Sequence, residues 1–205
     1  MTKKIDPKEK ILTQGFDTII EEGVRFFTVE SLAAKLGMSK KTIYKFFPTK
    51  EILIEKVVGY YTKIVEKKFR TVIASEMEPT EKFMTIMEFI MDTVGRISID
   101  KMMDVKMRYP NIWKEIEDFR LARQNDFAKI LIEAQEKGLA RPDMDMKTVA
   151  TIYMNIVNST FQPEFFLKNN LGTRDTIQIF VDMITRGLFT PRGIAACERY
   201  KQLKK

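Results

Sequence analysis

The sequence predicts an all-α protein: a small N-terminal unit of three short helices followed by a larger helical bundle, about nine helices together. Three observations point there. Apolar residues recur at helical rather than alternating spacing along almost the whole chain. Most of the seven prolines and nine glycines stand between those periodic segments. Alternating Val/Ile/Thr runs closed by Asn-Gly or Asp-Gly turns are missing, which leaves no case for a sheet.

Each element has a local reason. Asp6-Pro7-Lys8-Glu9 reads as a helix start, with Asp6 as N-cap, Pro7 at the first helical position and Glu9 placed to close a capping box. Ile11, Leu12, Phe16, Ile19 and Ile20 follow near a 3.6 period, and Gly23 stops them. A second helix runs over about 29–36, capped by Thr28 and ended by Gly37. A third starts at Ser39 and cannot pass Pro48. Longer helices are expected over about 50–75, 79–95, 99–109, 111–138, 145–167 and 173–188. Pro163 interrupts the fifth of these near its end, and the tail after Pro191 is expected to fray. The organisation is therefore a domain over 1–49 and a second over 50–205.

Composition removes much chemistry. Among 205 residues there is no histidine and one cysteine, Cys197. Ser-His-Asp and Cys-His nucleophile pairs, His-ligated zinc, thiolate cages and an internal disulfide are all excluded. A reducing, cytoplasmic setting fits such a chain. The start MTKKIDPKEK leads into no apolar segment of signal-peptide type, and the longest uncharged run, 148–163, is too short to span a bilayer. No metal, cofactor or catalytic residue is expected. The acids Glu115, Glu117 and Asp118 crowd four positions of an amphipathic helix, which is the pattern of a solvated face rather than an acid–base pair.

The informative segment is TVESLAAKLGMSKKTIYKFFPTKE, residues 28–51. Two short helices meet at Leu36-Gly37-Met38, where glycine turns the chain left-handed, and Leu32, Leu36 and Ile43 are spaced to pack together. This is the pattern of a helix-turn-helix. At 100° per residue Ser39, Ile43, Phe46 and Phe47 gather on the side expected to be buried. Lys41, Tyr44 and Lys45 point the other way, flanked by Lys40 and Thr42. Between Ser39 and Lys50 there is no carboxylate. Ammonium groups, a hydroxyl and a phenol suit phosphates and base edges in a major groove. Residues 1–50 hold ten basic and six acidic residues, net +4 of the chain's +7.

This segment resembles the DNA-binding head of the TetR family of transcriptional regulators. The resemblance rests on Phe27-Thr28, Ser31-Leu32-Ala33-Ala34, Leu36-Gly37, Ser39, Thr42-Ile43-Tyr44 and Phe47-Pro48-Thr49-Lys50-Glu51, and it covers about residues 7–55. It implies that Thr28, Thr42, Tyr44 and Lys50 touch the DNA backbone. It also implies that Lys40 and Lys41 reach bases, with Tyr44 and Lys45 beside them. Glu30 departs from the family, some of whose members carry a basic or polar base reader near that place. It is left outside the candidate set.

For the larger domain, seven of thirteen methionines fall between Met77 and Met107. Phe83, Met87, Met91, Met103, Met107, Trp113, Phe127, Tyr153 and Asn158 are the candidates to line an adaptable pocket for a small apolar or amphipathic ligand. The alternative is an ordinary core that uses Met as filler. Arg96, Arg108 and Arg120 could meet an acidic ligand, although surface ion pairs are the plainer fate of each. Thr148, Thr151, Asn155, Asn158, Ser159 and Gln162 form a polar stripe that serves either the pocket or a dimer interface. The resemblance implies a homodimer made through the last two long helices, bound to palindromic double-stranded DNA and most readily a repressor released by its ligand. The alternative is a regulator of the same fold controlled by a protein partner or with no small-molecule effector.

Overall fold

The computed structural model describes residues 6–203, and among them the chain is helical, with a single isolated antiparallel bridge between Ala140 and Phe189. Among the described residues there are twelve helices where about nine were expected. Two of the extra helices come from breaks within expected elements and the third from the tail.

The described chain forms two compact units, the first running to Val65 and adding Asp100–Lys114, the second holding Glu66–Ile99 and Glu115 onward. The first unit contains α1 (Pro7–Glu22), α2 (Val29–Leu36), α3 (Lys40–Phe46) and the first two thirds of α4 (Lys50–Ile73). Asp6 Oδ1 accepts the Lys8 N–H at 3.0 Å, so the predicted cap forms. Glu9 takes another partner: its Oε1 accepts from the Tyr60 hydroxyl at 3.1 Å. Ile11, Phe27, Leu32, Ile43, Phe47, Leu53 and Ile54 are buried, and Phe16 stacks on Tyr61 with ring centroids 3.8 Å apart. Most of α6 (Ile99–Arg108) and the first turn of α7 (Pro110–Ala122) belong to this unit. Lys101 of α6 donates to the carbonyls of Ile20 and Glu21, each at 2.7 Å, at the end of α1.

The second unit is built from the last third of α4, α5 (Pro79–Val94), the rest of α7, α8 (Gln124–Glu136), α9 (Met146–Thr160), α10 (Pro163–Asn169), α11 (Thr173–Leu188) and α12 (Pro191–Leu203). The helix expected over 111–138 breaks at Arg123, whose N–H bonds Arg120 O at 3.0 Å in a tight turn. Pro163 separates α9 from α10, as its missing N–H requires. Residues 191–203 do not fray. They form α12, with Cys197 and Tyr200 buried. The Tyr200 hydroxyl donates to Glu88 Oε2 at 2.9 Å and lies 3.0 Å from Thr85 Oγ1, which docks α12 on α5. Residues 204–205 of that tail lie outside the described residues.

An aromatic series fills this unit. Phe83, Phe127, Tyr153 and Phe180 follow one another at centroid separations of 6.1, 4.3 and 5.2 Å. Phe161 continues it 6.1 Å from Phe180. Buried Lys82 pairs with Glu133 across α5 and α8 at 2.8 Å.

Candidate nucleic-acid interface

The helix-turn-helix is held by three local devices. Thr28 Oγ1 accepts the Ser31 N–H at 3.1 Å and caps α2. Gly37 sits at φ 61°, ψ 32°, the left-handed region where a side chain is strained. There the Met38 N–H reaches Ala33 O at 2.9 Å and the Gly37 N–H reaches Ala34 O at 3.2 Å. Ser39 Oγ then accepts the Thr42 N–H at 3.1 Å and starts α3. A fourth cap follows at once: Thr49 Oγ1 accepts the Ile52 N–H at 3.2 Å, so Lys50 stands on the first turn of α4.

These caps fix which side of α3 faces water. Ile43 and Phe47 are fully buried, while Lys40, Lys41, Tyr44 (41% exposed) and Lys45 face outward. Thr42 is half-buried, with its hydroxyl 2.9 Å from Ser39 Oγ. Thr28 is exposed and Lys50 half-buried, its ammonium 6.0 Å from the Phe27 ring centre. Two members of the expected buried side differ: Phe46 is 39% exposed and Ser39 is exposed. A seven-residue helix anchored by Ile43 and the following Phe47 has little area left to cover a third position.

Glu30, set aside from the sequence, belongs to this surface. Its Oε1 accepts from Lys40 Nζ at 2.7 Å, joining the first turn of α2 to the first residue of α3. That bond, a bond to its own backbone N–H, and the charges of Lys40 and Lys50 hold the Glu30 carboxyl below the ordinary carboxylate range. Glu30 in turn holds the Lys40 ammonium above its ordinary value, the hydrogen bond first and the charge second. The signal was present as an acid and a lysine either side of the Gly37 turn, but their spacing of ten becomes a contact only once the turn's angle is known.

The pocket candidates divide. In the second unit Phe83, Met87, Phe127 and Tyr153 come together: Phe127 stacks on Tyr153, whose hydroxyl donates to Met87 Sδ at 3.7 Å. Burial raises the Tyr153 pKa, so the phenol is neutral. Met91 is half-buried, and Asn158 Oδ1 is buried with no hydrogen-bond partner. Met103, Met107 and Trp113 belong to the first unit. There Trp113 is buried with Lys106 5.8 Å from its ring centre, and Met103 is half-buried. Met107 is 73% exposed and stands in solvent, so the expectation that it lines an apolar cavity is corrected. It lies on the last turn of α6, beyond the part of that helix that Met102 buries.

The polar stripe of α9 is also divided. Thr148 serves the helix cap, donating to Asp145 Oδ2. Thr151 accepts from Gln124 of α8 at 2.6 Å on the surface, and half-buried Gln162 donates to Glu117 of α7 at 2.7 Å. Asn155 and Ser159 remain exposed beside Ile152 and Ile156. Arg120 donates to Phe161 O at 3.1 Å, and loss of water pushes its pKa down to about 10 against the pull of Glu117. No described helix is long and apolar enough to cross a membrane.

A capped helix-turn-helix with a lysine- and tyrosine-bearing outer face, in a chain whose described residues are helical, defines a DNA-binding protein of the helix-turn-helix class. Residues 11–57 match the family of bacterial regulatory proteins described as the tetR family. The helix-turn-helix segment of this chain is therefore of that family's DNA-binding type. The chain is 23% identical over 181 residues to an uncharacterized HTH-type transcriptional regulator, YvaF, of Bacillus subtilis, covering 88% of this chain and 94% of the relative. Its fold is similar to that of a putative transcriptional regulator from Saccharomonospora viridis solved in complex with choline, with TM-score 0.66 and 17% identity over 89% of this chain and 97% of the other. It is also similar to the ketosteroid transcriptional regulator KstR2 of Mycobacterium tuberculosis, with TM-score 0.55 and 17% identity over 92% and 97% of the two chains.

Proposed function

We propose that the protein is a homodimeric repressor that grips palindromic operator DNA through α3 and is released by a small apolar or amphipathic ligand. The observation that carries the DNA-binding part is the outward face of α3, where Lys41, Tyr44 and Lys45 are exposed while Ile43 and Phe47 anchor the other side. Thr28, Thr42, Tyr44 and Lys50 contact phosphates, and Lys40, Lys41 and Lys45 reach the bases. One short recognition helix reads too few base pairs for useful selectivity, and two related by a dyad read a palindrome.

Dimerisation is supported by α9 and α11, neighbours through the Tyr153–Phe180 stack. Each leaves an i, i+4 apolar pair uncovered: Ile152 and Ile156 on α9, Ile179 and Met183 on α11. A small-molecule effector is supported by the buried, unsatisfied Asn158 Oδ1, an acceptor that a ligand donor would satisfy. The ketosteroid named for KstR2 agrees with an apolar body, and the choline held by the Saccharomonospora protein is a small organic ligand on a similar fold. A second reading, control by a protein partner or no effector at all, is favoured by the aromatic stack. Rings at 4.3 and 5.2 Å leave no space between them for a ligand.

The test begins with selection of binding sites from a pool of randomised 30-bp duplexes. The selected site should be palindromic, and its affinity should fall steeply with salt. Tyr44→Ala or Lys50→Ala should abolish binding with the thermal melt unchanged. Unchanged affinity would reject these contacts, and a flat salt response would reject DNA as the partner. Melting in the presence of choline, long-chain fatty acids and sterols separates the two readings: a raised Tm supports an effector, and none across the panel supports the second reading.

A further inference from the structure

The Glu30–Lys40 ion pair is a carboxylate placed on a surface that otherwise offers DNA cations and hydroxyls. Both side chains are more than half exposed, at 61% and 54%, so the pair contributes little to folding. Its consequence lies on the binding side. A lone lysine on a recognition helix is a mobile point charge that any phosphate attracts, which raises affinity for all sequences alike. A carboxylate 2.7 Å away cancels that charge and holds the ammonium in one direction. The pair then presents one donor and one acceptor in a fixed relation. A DNA backbone offers acceptors only, and meeting it would leave the carboxylate repelled and desolvated. A base pair in the major groove offers both. Lysine donates to guanine O6 and N7, and a glutamate accepts from the cytosine N4 amino group.

We propose that Glu30 is the specificity-determining residue of this surface, acting with Lys40 to read one C·G pair in each half-site: Glu30 accepts from cytosine N4 while Lys40 donates to guanine. The inference rests on the placement of Lys40 against bases given above. It adds that the acid is what turns a general DNA affinity into a sequence preference. The Glu30 carboxyl is held ionised by its neighbours, so it is an acceptor and not a donor at neutral pH.

The experiment compares wild type, Glu30→Gln and Glu30→Asp on two probes: a single 30-bp duplex of arbitrary sequence, titrated at several salt concentrations, and the randomised duplex pool. Glu30→Gln frees Lys40. It should bind the arbitrary duplex more tightly, with a log–log salt slope steeper by about one per subunit. The preference for C·G at one position of each half-site should fall by about five- to a hundred-fold. Glu30→Asp keeps the charge but withdraws the acceptor by one methylene, so the slope should stay as in wild type while the C·G preference is lost. It carries the test alone if the Gln variant fails to fold. Unchanged slope and unchanged selected sites in Glu30→Gln, or a Glu30→Asp that selects the wild-type site, overturn the proposal. If wild type itself enriches nothing from the pool, the DNA-facing placement of α3 is what has failed.

Discussion

Lys101 lies against Gly23: a Cβ built on Gly23 would stand 3.2 Å from Lys101 Cγ. Gly23 ends α1 at φ 83°, ψ 156°, a conformation other residues adopt only under strain. The missing side chain admits the Lys101 stem, and the ammonium reaches the Ile20 and Glu21 carbonyls where α1 leaves its acceptors unpaired and its dipole is negative. Lys101→Met should therefore cost about 1–2 kcal/mol, less than a fully buried charged hydrogen bond because the site is half-open. Gly23→Ala should cost about 1–3 kcal/mol through strain and the clash. At roughly 2–4 °C per kcal/mol for a chain of this length, both should show in a thermal melt. Wild-type melting in both variants would contradict the docking of α6 on α1.

Lys82 is 5% exposed, with its ammonium on Glu133. Removing the acid leaves a buried cation without its carboxylate, whereas removing the lysine leaves Glu133 a second lysine, Lys137, at 3.7 Å. Glu133→Ala is expected to cost about 2–4 kcal/mol in urea unfolding, and Lys82→Met clearly less, since a thioether suits the apolar surroundings of the lysine stem. The opposite order would show that the pair is not the compensating element.

Burial pushes the Cys197 thiol up to about 11 from an ordinary value near 9. The native protein should leave a thiol reagent at pH 8 almost unreacted, and one thiol should appear on unfolding. The raised pKa means that the folded state holds this proton more tightly. Its contribution to stability is complete below pH 9 and is lost as pH rises towards 11. Rapid native labelling would place the cysteine outside the core of α12.

Ile179 is 60% exposed at the middle of α11. If α9 and α11 form the dimer face, Ile179→Glu puts two carboxylates against an apolar interface related by a dyad. Sedimentation should then show a monomer that keeps its helical circular dichroism but loses the palindromic site. A variant that remains dimeric would move the interface elsewhere.

Much of this architecture was legible because its causes are local. The Asp6-Pro7 start, the Thr28 and Ser39 caps and the Gly37 turn each depend on a few consecutive residues, and each forms as the sequence predicts. Thr190-Pro191 repeats the same device, Thr190 Oγ1 accepting the Gly193 N–H at 3.2 Å, and it marked a helix where fraying was expected. The break at Arg123 had no such mark. No proline or glycine stands there, and the turn is held by the guanidinium 4.8 Å from the Phe119 ring centre and by its ion pair with Asp126 at 3.2 Å.

By itself the chain's residue order determined that the protein is helical, where its first helices begin and end, and that a cationic, acid-free run lies on the third. Those properties follow from backbone sterics, caps and a 3.6-residue period, which act within a few positions. Only the tertiary structure decided that Glu30 meets Lys40, that Lys101 closes the end of α1, and that Met107 faces solvent while Phe127 and Tyr153 stack. Contacts between residues far apart in the chain depend on the angles at which helices cross, and those angles are set by the packing of all their side chains at once.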